Sequence, residues 1–253
     1  MSVEGRVIVV AGVGDGLGTA VVSVLASAGA TVVGLARSSG ILERLASEGQ
    51  SRRWRFESRV SDSADPAAAQ EAIRAILRTH QRIDGLAVLV GRWVGGETLA
   101  HRMSDAEWKE AMAANLDPAF FLCRAVLPSM MERGEGSVVL VGASEAVRWA
   151  GSASYATAKA GVAELAQKLA RDYRSYGVRV NAVLPGSMAP VRGEDPPDPK
   201  ERRLLGDEND QASWDVAWSI KHLLSSDARW VTGALLVVDG GGATGGTPQS
   251  RSA

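Results

Sequence analysis

Residues 6–18 read Arg6-Val-Ile-Val-Val-Ala11-Gly12-Val-Gly14-Asp15-Gly16-Leu17-Gly18, and this stretch decides the fold. Its first half is an apolar, β-branched run without polar alternation, the pattern of a strand covered on both faces. Its second half is a glycine loop that opens directly into a helical pattern over 17–28. The offsets are not GxGxxG; Gly12, Gly16 and Gly18 instead form GxxxGxG. Glycines let backbone N–H groups approach a pyrophosphate, and the following helix N-terminus adds partial positive charge. Strand before and helix after therefore point to a nucleotide held by Gly12, Gly14, Gly16 and Gly18, with Asp15 and Leu17 in the same loop.

Working outward, apolar runs of strand length recur at 31–36, 85–90, 137–141, 178–184 and 235–238, with a weaker one at 53–57. They too read as strands buried on both faces. Helical segments fall between them at 41–48, 65–79, 105–115, 119–132, 153–176 and 213–224. Ser104-Asp105 with Glu107 marks a helix start, and Gly134 and Gly136 mark a stop. Alternating strand and helix imply an α/β, doubly wound parallel sheet of about seven strands with helices on both faces, and ligands beyond the carboxyl ends of the strands. Residues 1–242 are expected to form one domain, with a substrate flap at 191–211, where Pro196, Pro197 and Pro199 interrupt the pattern, and a flexible tail at 243–253. There is no internal repeat.

The 28 Lys and Arg against 29 Asp and Glu give a net charge of -1 with no long basic run, which argues against a nucleic-acid partner. No apolar run approaches the roughly 20 residues of a membrane helix, and the N-terminus lacks signal-peptide features. One cysteine, Cys123, and three scattered histidines, His80, His101 and His222, exclude an internal disulfide and offer no metal-ligand spacing. A cytoplasmic protein without metal is expected.

The second strand ends Leu35-Ala36-Arg37, with no carboxylate for ribose hydroxyls. Arg37 can instead form a charge-assisted fork with a 2′-phosphate, which favours NADP(H); NAD(H) is the alternative, and Asp15 adds an opposing charge nearby. Tyr155 and Lys159 lie four residues apart in a helical segment and so share a face. A free phenol, with a pKa of about 10, is a poor base at neutral pH, and a neighbouring ammonium favours its ionised form.

From residue 7 to residue 242 the chain resembles the short-chain dehydrogenase/reductase family. The resemblance rests on the glycine loop, Tyr155 to Lys159 as YxxxK, Asn115 in Ala-Asn-Leu, Pro185-Gly186 and Asp239-Gly-Gly. It implies a single Rossmann-like domain, assembled as a homodimer or homotetramer, that moves hydride between nicotinamide and a small-molecule carbonyl or alcohol. By the same resemblance Tyr155 exchanges the proton, Lys159 holds the nicotinamide ribose and lowers the tyrosine pKa, and Asn115 carries a proton relay. Val60, Gly91, Pro185, Gly186 and Met188 join the glycine loop and Arg37 in the cofactor site.

The chain also departs from the family pattern. The usual serine, about thirteen residues before the tyrosine, is replaced by Gly142 or Ala143, and Ser144 takes its place only with a realigned loop. Val88-Leu-Val-Gly91 and Arg92-Trp93-Val-Gly-Gly96 replace Asn-Asn-Ala-Gly, locally similar to the dihydropteridine reductase branch. Ala11, Arg59 and Pro190 are further departures. Trp93 and Trp149 follow the fourth and fifth strands and are candidate walls of an apolar or ring-bearing substrate site, or packing residues. A serine-independent pteridine-like reductase and a non-catalytic NADP(H)-binding sensor or scaffold are the alternatives.

Overall fold

The computed structural model of the protein describes residues 2–94, 99–188 and 212–242. The expected flap at 191–211, the tail at 243–253 and Pro190 lie outside the described residues. The elements run β1 (Val7–Ala11), α1 (Leu17–Ser27), β2 (Thr31–Ala36), α2 (Ser39–Arg52), β3 (Arg55–Val60), α3 (Pro66–His80) and β4 (Gly85–Val88). They continue α4 (Asp105–Asn115), α5 (Asp117–Arg133), β5 (Gly136–Val141), α6 (Glu145–Ala150), α7 (Ala153–Tyr173), β6 (Val178–Pro185), α8 (Ala212–Leu224) and β7 (Leu235–Val238).

The seven strands form one parallel sheet in the order β3-β2-β1-β4-β5-β6-β7. Order reverses between β1 and β4, which creates a crevice beyond their carboxyl ends. Side chains alternate across each strand, so Val9, Ala11, Val33 and Leu35 face a layer with Ile73, Leu122, Met130 and Val162. Their neighbours Ile8, Val10 and Val32 face the opposite layer with Leu25, Leu45, Trp214 and Ile220. One side is thus covered by α3, α5 and α7, the other by α1, α2 and α8. No described helix is long and apolar enough to cross a membrane.

The local signals act as the sequence implies. Ser104 and Glu107 close a reciprocal capping box at the start of α4, and Gly134 ends α5 in the left-handed conformation. At the opposite rim from the crevice, Asp84 is 1% exposed and fully engaged: it accepts from Val7 N at 2.8 Å and pairs with Arg82 and Arg133.

Several boundaries differ from expectation. Arg53 adopts φ 58° and caps α2, so α2 runs on to Arg52 and β3 begins at Arg55. β4 stops at Val88 because the chain turns out beside the glycine loop, and α7 gives way to a tighter turn at Arg174–Tyr176. The six-residue α6 is absent from the sequence reading. The expectation of burial on both faces fails at β7, where Leu235, Leu236 and Val237 are 38%, 37% and 48% exposed. Among the described residues β7 is the last strand and pairs only with β6.

Candidate active site

The glycine loop divides its glycines between two tasks. Gly12, at φ 89°, would place a β-carbon 2.7 Å from Val90 N, and one at Gly18 would lie 2.7 Å from Val13 Cα. These two positions are glycine because backbone passes too close for a side chain. Gly14 and Gly16 have nothing within 4 Å of a β-carbon, so their backbone faces open space. Leu17 opens α1 behind Gly16, with neither a side-chain cap nor an acidic residue in the first turn. An uncapped helix end beside half-buried glycine backbone with open space before it suits an anion, and a dinucleotide pyrophosphate fits these residues.

A cavity of about 450 Å³ extends from this loop past the end of β2. Arg37 lines it, as do Ser61, Asp62 and Ser63 after β3, and Gly91 after β4. Ser61 and Asp62 were not singled out from sequence; their position just beyond β3, two strands from the switch point, was the available signal. Val60 is 62% exposed and does not line the cavity.

Gly91 is where the cavity meets the buried polar groups. A β-carbon at Gly91 would stand 2.5 Å from Lys159 Nζ and 3.1 Å from Asn115 Oδ1. Asn115, at the last position of α4, donates through Nδ2 to Ala111 O at 3.1 Å, and its Oδ1 accepts from Arg92 N at 3.0 Å. Arg92 is tied to Glu110 of α4. Lys159 Nζ donates to the carbonyls of Val90 and Val141, each at 3.4 Å. Burial lowers the Lys159 ammonium to about 8.

Tyr155 sits one turn earlier on α7. Ser152 caps that helix, its Oγ accepting from Tyr155 N at 3.2 Å and lying 3.1 Å from Ser154 Oγ. The phenol is 6% exposed, and burial raises its pKa. In the protein alone the Lys159 ammonium is turned toward two carbonyls, and desolvation of the phenol is the cause of the shift. Trp93 packs on Tyr155 edge-on, with ring centroids 4.8 Å apart, and is itself 54% exposed. Ser152 N donates to Val94 O, which fastens this tryptophan segment to the start of α7. Trp149, on α6, is 79% exposed.

A serine at 142, in the loop after β5, would require the Leu184 side chain to shift. A β-carbon there would lie 2.6 Å from Leu184 Cδ2. Ser144 N donates to Pro185 O at 2.8 Å, while Ser144 Oγ is fully buried without a partner among the described residues. Beyond Pro185, Gly186 packs against the Asp239 backbone and Met188 is half-buried on the α8 side of the core. Among the described residues no three His, Cys, Asp or Glu side chains converge as metal ligands.

The short chain dehydrogenase family model matches residues 6–196. The chain is 29% identical to the 3-oxoacyl-[acyl-carrier-protein] reductase FabG of Escherichia coli, over 95% of this chain and 98% of that one. It is 33% identical to 2-(S)-hydroxypropyl-CoM dehydrogenase 3 of Xanthobacter autotrophicus, over 94% and 96%. The crystal structure of levodione reductase superposes with a TM-score of 0.81 at 28% identity, over 95% and 98%. With a matching family model over most of its length, a seven-stranded parallel sheet and relatives aligned almost end to end, the chain belongs to the short-chain dehydrogenase/reductase family.

Proposed function

We propose that the protein is an oxidoreductase that moves hydride between NADP(H), in preference to NAD(H), and a small-molecule carbonyl or alcohol, with Tyr155 as the proton-exchanging group. The observation that carries this reading is the convergence of Lys159 Nζ and Asn115 Oδ1 on Gly91, which lines the same cavity as the glycine loop. Gly14 and Gly16 with the uncapped end of α1 would hold the pyrophosphate, and Arg37 would face the 2′-phosphate. Pro185 at the end of β6, with Gly186 and Met188 beyond it, would border the nicotinamide end. When bound, the nicotinamide supplies or accepts the hydride.

The remaining work falls to the chain. Lys159, released from the weak carbonyl contacts at 3.4 Å, would hold the ribose and bring its positive charge toward the phenol. That charge opposes the burial which otherwise keeps Tyr155 protonated, so the phenol becomes able to trade its proton. Asn115, fixed through both ends of its amide, orients the polar chain behind Lys159. Ser144 is enclosed, so Tyr155 carries most of the activation of the substrate oxygen. Trp93 forms one wall of the substrate site, and its exposed face favours ring-bearing or apolar ketones and alcohols. The exposed apolar edge at β7 supports a homodimer or homotetramer. The single cysteine, Cys123, is buried and free, in keeping with a reducing cytoplasm.

The test is NADPH consumption against a panel of aldehydes and ketones, with Tyr155→Phe as control. Turnover on at least one apolar or cyclic ketone, lost in Tyr155→Phe with NADPH binding intact, is expected. NADPH binding without turnover across the panel would leave only a non-catalytic role.

A further inference from the structure

The carboxylate inside the glycine loop is not unpaired. Arg44, in the second turn of α2, reaches across to Asp15: its Nη2 donates to Asp15 Oδ1 at 2.6 Å and lies 3.4 Å from Thr19 Oγ1. Thr19 Oγ1 in turn donates to Gly14 O at 2.9 Å. One guanidinium therefore straps α2 to the loop and to the first turn of α1. Asp15 sits between the two glycines whose backbone is open, immediately before an uncapped helix. A carboxylate at that place repels any anion the loop is built to receive. The Asp15 and Arg44 side chains are 81% and 49% exposed, so neither is held there by burial. The end of β2 adds Arg37 on the cavity wall and no acidic residue.

We propose that Arg44 is a specificity-determining residue for the 2′-phosphate of the dinucleotide, acting by holding the Asp15 charge neutral at the mouth of the phosphate site. This rests on the dinucleotide reading above. An acidic glycine loop by itself disfavours the extra phosphate of NADP(H) more than it disfavours NAD(H), because the added dianion feels the same carboxylate. With Arg44 clasped to Asp15 the loop presents no net charge. Arg37 then sets the preference without opposition from Asp15. The two arginines have separate tasks: Arg37 attracts, and Arg44 removes a repulsion.

The adenosine side can be tested apart from catalysis, by calorimetric titration of the purified protein with adenosine 2′,5′-bisphosphate and with 5′-AMP, alongside NADPH and NADH. Arg44→Ala should weaken the 2′-phosphorylated ligands by about tenfold or more and the others by no more than about threefold. Adding Asp15→Asn to Arg44→Ala should restore most of that loss, since the charge that Arg44 cancelled is gone. Arg44→Lys should keep most of the preference, and circular dichroism should show all variants folded. Equal weakening of both ligand classes, or no recovery in the double variant, overturns the proposal while leaving the dinucleotide site in place. A wild-type protein that binds none of the four ligands overturns the dinucleotide reading itself.

Discussion

Gly91 and Lys159 stand so close that a side chain at position 91 must displace the lysine: its first carbon would lie 2.5 Å from Lys159 Nζ. Asn115 Oδ1 closes the same space from the other side at 3.1 Å. A loop residue after β4 thus sets where two side chains from α4 and α7 come to rest. The strand carboxyl ends, rather than the helices alone, fix the polar centre.

Gly91→Ala should therefore leave the sheet intact and displace the lysine and the asparagine. The expected loss in kcat/KM is about tenfold or more, which corresponds to about 1.4 kcal/mol of transition-state stabilisation. Circular dichroism and a thermal melt within a few degrees of wild type would accompany it. Unchanged kcat/KM in a folded Gly91→Ala protein would show that the position of Lys159 Nζ does not matter to the reaction.

Burial of Lys159 also makes a statement about stability and pH. Its ammonium titrates at about 8 in the fold, against roughly 10.4 in an unfolded chain. Below about pH 8 both states carry the proton, and the cost of burying the charge is fully present. Above that pH the folded state sheds its proton first, so stability rises across the window up to about 10. Tyr155 works in the opposite direction beyond that point, because its raised pKa keeps the native phenol protonated where the unfolded one ionises. Relative to Lys159→Met, wild type should gain stability of order 2 kcal/mol between these limits, read from denaturant unfolding at several pH values. A difference that stays flat with pH would contradict the burial of the charged group.

Trp93 covers the phenol, and this contact too has a readable consequence. An edge-to-face pair of this kind contributes about 0.5–1.5 kcal/mol beyond its buried area. Trp93→Ala should lower the melting temperature by a few degrees and let water reach Tyr155. Because burial is what raises the Tyr155 pKa, its titration should move down in the variant. The chain has three tyrosines, and Tyr173 and Tyr176 pair with each other, so difference absorbance against Tyr155→Phe isolates the signal. KM for apolar ketones should rise more than kcat falls. An unmoved phenol titration would place the tryptophan away from Tyr155 in solution.

How much of this was legible in the sequence follows from the range of each interaction. The first strand, the glycine loop and α1 are contiguous, so their pattern carries the sheet topology and the open backbone at Gly14 and Gly16. Tyr155 and Lys159 are one helical turn apart, and their shared face follows from spacing alone. The Asp15–Arg44 contact joins residues in different elements through two long side chains, and no periodicity marks it. The burial that raises the Tyr155 pKa is hidden for a related reason: it depends on how Trp93 and the surrounding chain pack around the phenol. The exposure of β7 was hidden because Leu235-Leu-Val-Val238 has the composition of a central strand, and composition does not say which strand ends a sheet.

That edge leads to the last expectation. Leu235, Leu236 and Val237 are exposed along a strand that, among the described residues, pairs only with β6, and Trp230, just before it, is 97% exposed. An uncovered apolar edge of this kind invites pairing with another chain, and self-association of like surfaces about a two-fold axis is the simplest arrangement. Sedimentation velocity of wild type should therefore give a species larger than one chain. Val237→Lys places a charge on that edge, where burial in an interface would leave it unpaired at a cost of several kcal/mol. The variant should sediment as a monomer at concentrations where wild type does not, while its far-ultraviolet spectrum remains unchanged. Wild type and Val237→Lys of the same size would show that β7 does not join the subunits.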